Sequence, residues 1–227
     1  MQNGNIMIEH KYRTHNREPF FEIARSIIPA NGLVLDVGGG DGSFARFCGL
    51  SNLFILEGNP ESAEKLKAAF SNAVYGRLPK LPFEDRFFDV IHMSHVIEHL
   101  QPQEVYDTLV EFDRCCKPGG ALVISAPLLW EGFYNDLSHV KPYTPHIFKK
   151  YLCDYQENNF TRPKISNTYK VERLVYRYKV KNENAIFQPS KNKFYNKLKS
   201  LFQRFYFSTF QFYEKSGYTI VLRKKAD

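Results

Sequence analysis

Gly38-Gly39-Gly40-Asp41-Gly42 interrupts an aliphatic run (Val34, Leu35, Val37) and leads into a stretch from Ser43 that reads as a helix. A strand that breaks at glycines into a helix can cradle a ligand: glycine leaves the peptide N–H groups uncovered, and the helix N-terminus favours an anion. A dinucleotide would want Gly-x-Gly-x-x-Gly, and here Ser43 stands at the third glycine position. Asp41 would repel a pyrophosphate but can face an ammonium. A ligand carrying both an ammonium and a carboxylate fits this loop better. Leu53–Glu57 reads as a second strand whose closing acid comes about 20 residues on, the spacing at which a carboxylate meets ribose hydroxyls.

The elements that must position these residues alternate strand and helix. Asn59 is a good helix cap and Pro60 suits the first helical position, with Ala63, Leu66, Ala69 and Phe70 as the buried stripe. A third strand is expected over 73–75 and a fourth over 88–93. Residues 102–116 form an amphipathic helix closed by Pro118-Gly119, and a fifth strand runs over 121–126. Residues 9–29 form one or two helices, broken at Pro19, that cover the sheet.

These motifs, in this order, resemble the class I S-adenosylmethionine-dependent methyltransferases, over roughly residues 31–160. Asp36-x-Gly38-x-Gly40 matches the family's first loop, Leu81-Pro82-Phe83 before Phe88-Asp89 its approach to strand four, and Lys117-Pro118-Gly119-Gly120 its approach to strand five. The resemblance implies an α/β fold: a doubly wound, seven-stranded, mostly parallel sheet, with a basic, aromatic helical segment inserted before the last strand. It implies S-adenosyl-L-methionine as cofactor. Gly38, Gly39 and Gly40 would admit it to the backbone, and Asp36 and Asp41 would orient the loop or meet its ammonium. Glu57 would take the ribose, and Gly58, Asn59 and Leu78 would border the adenine. Arg77 stands where the family usually has an acid for the adenine amino group.

Ser94 and His95 end strand four, where ligands sit beyond the carboxyl ends of parallel strands. His95-x-x-Glu98-His99 also matches an inverted zinc-protease motif. Such a protease needs a long helix, a distant acidic ligand and usually a larger chain, so no metal ligand is assigned. Residues 128–145 are long for a connection and carry Trp130, Asp136 and His139, the expected substrate wall. Ser138-His139-Val140-Lys141-Pro142-Tyr143-Thr144-Pro145 is similar to a stretch of methyltransferases encoded with bacterial sugar and surface-polysaccharide enzymes, and Thr144 is expected to cap the next helix. His139 is the first choice of general base, oriented by Asp136, and His95 the second.

One methyltransferase domain is expected: a helical cover over 1–30, a core over 31–180, a helical insertion over 181–216 and a last strand over 217–225. The 227 residues suffice for one α/β core. The four cysteines, without a Cys-x-x-Cys pair, read as reduced cytosolic thiols. Net charge +7 and a pI near 9.1 allow phosphorylated or anionic partners. Lysines and aromatics alternate over 191–215, a pattern that suits a peripheral membrane face, a second subunit or the protein's own sheet. The expected acceptor is a small molecule or glycan with a hydroxyl or amine. An RNA methyltransferase and an inactive cofactor-binding module are the alternatives, with nucleic acid the weaker.

Overall fold

The computed structural model describes residues 9–156, 161–180, 195–196 and 213–226. Seven strands form one sheet in the order β3-β2-β1-β4-β5-β7-β6. They are β1 (Val34–Val37), β2 (Leu53–Glu57), β3 (Ala73–Tyr75), β4 (Phe88–Ser94), β5 (Cys116–Pro127), β6 (Tyr169–Val180) and β7 (Tyr213–Lys224). The first five pair in parallel, and β7 runs antiparallel to both β5 and β6. The chain therefore winds outward from β1 in one direction, then returns to build β4 on β1's other side. That reversal leaves a crevice at the carboxyl ends of β1 and β4.

All four residues of β1 are buried, because both faces of the sheet are covered. Leu35 and Val37 join Leu56, Ile91 and Phe112 on one face, where α4 (Pro102–Cys115) and α5 (His146–Leu152) pack. Val34 joins Phe21, Phe44 and Ile55 on the other, under α1 (Glu18–Arg25), α2 (Ser43–Cys48) and α3 (Pro60–Ala69). Asp36 shares this second face with His92 of β4. Their side chains meet at 2.8 Å, and the imidazole stacks on Phe44 with centroids 3.8 Å apart.

Several expected boundaries move. Pro19 sits in the first turn of α1, where its missing N–H breaks nothing, instead of breaking a helix. Asn59 caps α3 as expected, its Oδ1 accepting from the Ser62 N–H at 3.1 Å, but Ala69 of the expected stripe is exposed. Cys116 begins β5 opposite Phe88, so Lys117-Pro118-Gly119-Gly120 lies inside the strand, with a register shift before Val90. Pro145, not Thr144, caps α5, and no side chain bonds there. The last strand starts at Tyr213, before the expected 217, because its pairing with β6 continues past the point where Pro127 of β5 meets Gly217. β6 runs over Tyr169–Val180 and forms the sheet's edge beside β7. Of the expected insertion over 181–216, Tyr195 and Asn196 are helical, 213–216 belong to β7, and the rest lies outside the described residues. Among the described residues no helix is long and apolar enough to cross a membrane.

The loop after β1 is shaped by close approach. A Cβ at Gly38 would meet Val96 Cγ2 at 2.3 Å, with φ at +71°, and one at Gly39 would meet Ile55 Cγ2 at 2.2 Å. Gly49 has φ +62° but open space around it. Gly49→Ala is therefore expected to show only the left-handed penalty, about 1–2 kcal/mol, whereas Gly38→Ala adds the clash. Urea unfolding of the two variants should rank Gly38→Ala clearly lower. Burial pushes the Cys48, Cys115 and Cys116 thiols up to about 11. At pH 8 these three are expected to resist an aromatic disulfide reagent until denaturant is added, as resolved by peptide mapping of the labelled sites.

Candidate active site

At the ends of β1, β2 and β4 lies a cleft of about 400 Å³. Its polar floor comes from Glu57, which closes β2 and is 9% exposed. Glu57 Oε2 accepts the Gly40 N–H at 2.8 Å, and Oε1 accepts the Asn59 N–H at 2.7 Å. One carboxylate thus joins the loop after β1 to the loop after β2. Each oxygen keeps a lone pair, so the group can still accept from two neighbouring hydroxyls. Val37, Leu56, Leu78 and Val96 supply apolar walls of the kind that hold a flat ring, and Gly38 borders the same space. A Cβ on Gly38 would displace Val96 from that wall. The donor set and the cradle fit a nucleoside carrying an amino acid.

Gly58, Asn59 and Leu78 line the cleft as expected, and Arg77 joins them. Its Nε reaches toward the Gly58 carbonyl at 3.4 Å. Five of the expected residues stand elsewhere than in the cleft lining. Asp36 faces the helices of the second layer, 3% exposed, and its Oδ1 is engaged by His92 Nδ1. Strand alternation explains this: Val37, next in sequence, points to the opposite face and lines the cleft. Asp41 turns outward and accepts the Ser43 N–H at 3.0 Å at the start of α2; hydrogen bonding to Ser43 holds its carboxyl below the usual range. Gly40 contributes its N–H to Glu57 but does not line the cleft, and Gly39 packs against Ile55. Ser94 ends β4 opposite Ser125, outside the cleft lining.

The three expected catalytic residues separate. His95 lines the cleft with φ +57°. Arg177 of β6 donates to its Nε2 at 3.1 Å, which leaves Nδ1–H to donate to Glu98 Oε1 at 3.1 Å. Burial lowers the His95 pKa, so the ring is neutral with both nitrogens committed. His139 sits one ring back from the cleft, 5.0 Å from the ring of His99, which does line it. Its Nδ1 donates to the Phe133 carbonyl at 2.6 Å, and Nε2 is 4.0 Å from Asp136 Oδ2. Asp136 is exposed and bonded to the Ser138 N–H and hydroxyl, which lower its pKa. It stands near His139 without gripping it.

Sequence reasoning passed over Arg177 and Glu98. Arg177 lies over Phe20 at 4.6 Å, and burial lowers its pKa to about 10. Its only sequence signal was the basic, aromatic content of β6. Glu98 is 1% exposed and lies between His95 and the 128–145 loop, whose Val140 N–H donates to the Glu98 carbonyl at 2.8 Å.

Residues 35–124 match a family model described as a methyltransferase domain. Over 102 residues the chain is 36% identical to a malonyl-[acyl-carrier protein] O-methyltransferase of Herminiimonas arsenicoxydans, covering 43% of this chain and 38% of that protein. The chain thus spans about two fifths of the length of that curated relative. A solved S-adenosylmethionine-dependent methyltransferase of Archaeoglobus fulgidus superposes with a TM-score of 0.61 at 20% identity, covering 95% of this chain and 97% of its own. The YcgJ protein of Bacillus subtilis gives 0.59 at 15%, covering 93% and 100%. Residues 35–124 thus match a methyltransferase-domain model, and the fold is the Rossmann-like fold of S-adenosylmethionine-dependent methyltransferases.

Proposed function

We propose that the protein transfers a methyl group from S-adenosylmethionine to a hydroxyl or amine of a small molecule or glycan. The observation that carries this reading is Glu57: a nearly buried carboxylate, fixed by two backbone N–H groups, at the floor of an apolar cleft. Glu57 would hold the ribose hydroxyls, Leu78 and Val96 the adenine faces, and the backbone at Gly38 the methionyl end. The bound cofactor supplies an activated methyl whose leaving group is neutral. The chain's own task is then chiefly alignment and exclusion of water. Of the two candidate imidazoles, His139 has the uncommitted Nε2 and is the better proton acceptor for a hydroxyl; an amine needs none.

The glycan class rests on the Ser138 to Pro145 phrase, in a loop whose Val140 and Lys141 N–H groups are tied to the Glu98 carbonyl beside the cleft. A carboxylate acceptor, as named for the Herminiimonas relative, is the second reading, favoured by that 36% identity and by the net charge of +7. Contact with a membrane face through 191–215 remains part of the proposal for a lipid-linked acceptor.

Calorimetric titration with S-adenosylhomocysteine and, separately, NADH tests the site. The expected result is micromolar affinity for the first alone, about 8 kcal/mol, weakened tenfold or more by Glu57→Ala. Binding of NADH alone would overturn the reading. With the cofactor placed, transfer of labelled methyl to nucleotide sugars, glycans and short dicarboxylates separates the acceptor classes.

A further inference from the structure

We propose that Glu98, His99 and His139 form a site for a single divalent transition-metal ion, of the zinc, cobalt or ferrous class. One potential ligand atom from each residue lies within 4.8 Å of the others. Two residues belong to the 3-10 turn Ile97–His99 after β4, and the third comes from the 128–145 loop. Proximity alone would say little, since polar side chains often cluster. The state of each ligand argues further.

Glu98 is 1% exposed, and its Oε2 has no hydrogen-bond partner among the described residues. A buried, unpartnered carboxylate oxygen is a costly arrangement, and a cation is the simplest group to satisfy it. Its other oxygen is held by His95 Nδ1 at 3.1 Å, so the carboxylate is oriented from behind. Both imidazoles are prepared in the same sense. His99 Nδ1 lies 3.2 Å from the Ser138 carbonyl and His139 Nδ1 lies 2.6 Å from the Phe133 carbonyl. A carbonyl can only accept, so each Nδ1 carries the proton and each Nε2 presents a lone pair; at His139 this is the lone pair that would otherwise take the acceptor's proton, so an ion held here replaces that role. Metal-ligating histidines are typically held this way, with the remote N–H on a carbonyl or carboxylate.

Two imidazoles and one carboxylate suit a borderline metal better than calcium or magnesium, which prefer all-oxygen shells. Three protein ligands also leave a coordination position open. His99 lines the cofactor cleft, so an ion here would pin the 128–145 loop to the cleft wall. The zinc-protease reading of His95-x-x-Glu98-His99 fails for a geometric reason. The segment is a single 3-10 turn, and His95 faces Arg177 instead of acting as a ligand. Two of its residues are ligands all the same, with His139 as the third.

The experiment titrates chelator-treated protein with cobalt(II) alone, reading ligand-field absorption in the visible, and with zinc(II) by calorimetry. One equivalent is expected to bind, with affinity falling at least tenfold in His99→Ala, His139→Ala and Glu98→Gln. The exposed His146→Ala should bind like wild type. Because Glu98 is buried, folding of each variant is checked by circular dichroism, and the exposed His99→Ala keeps the test decisive if Glu98→Gln unfolds. Binding that is substoichiometric, or equally tight in His99→Ala and His139→Ala, would overturn the site. S-adenosylhomocysteine binding, measured in parallel on the same samples, reports on the cofactor cleft separately.

Discussion

The interaction on which the site depends is the pair of hydrogen bonds that Glu57 accepts from Gly40 and Asn59. Parallel strands expose their last backbone groups at one edge, and loops leaving that edge would otherwise be free to spread. A charged acceptor bonded to backbone N–H groups is stronger than a neutral pair. Here it ties together the loops after β1 and β2 that border the cleft. Asn59 then serves twice: its N–H binds Glu57, and its side chain caps α3. The direction of α3 and the shape of the cleft are set by one residue pair.

The second layer is organised around an ionisable pair of another kind. Asp36 and His92 are both nearly inaccessible, on adjacent strands whose register places them opposite one another. A lone carboxylate there would be expensive, and pairing with a stacked imidazole makes it tolerable. The consequence for the site is that the acid of the first motif works inside the fold. The polar side chains that line the cleft are Glu57, Asn59, Arg77, His95 and His99.

Much of this was legible in the sequence, for physical reasons that can be named. Strands buried on both faces read as aliphatic runs, so β1, β2 and β4 were visible, and Asn59-Pro60 announces α3 through cap chemistry. Glu57 was found because an acid ending a strand is a positional signal. For Asp36 and Asp41 the choice between orienting the loop and meeting the ammonium stayed open, because a motif gives residue order but not the face to which a side chain points. For Asp36 that face follows from the alternation with Val37, which was available but unused. Arg177 was missed because it reaches His95 from 82 residues away, through an antiparallel edge strand whose register no local pattern reveals. Glu98 was missed for the reverse reason: its neighbours matched a protease motif, and rejecting the motif discarded the residue with it.

Glu98 is the joint between the two halves of the site. Its carbonyl accepts the Val140 and Lys141 N–H groups, its carboxylate steadies His95 at the cleft wall, and His99 beside it lines the cleft. Farther along the same loop, Tyr143 donates to the Leu100 carbonyl, and its own carbonyl accepts from Tyr218 of β7 at 2.7 Å. The 128–145 loop is thus fastened to the turn after β4 by backbone groups and to the sheet by a buried tyrosine. A loop held at so many points cannot move as a free lid. Its position relative to the cleft is set by the same turn that ends β4, so changes at Glu98 reach both the cleft wall and the 128–145 loop.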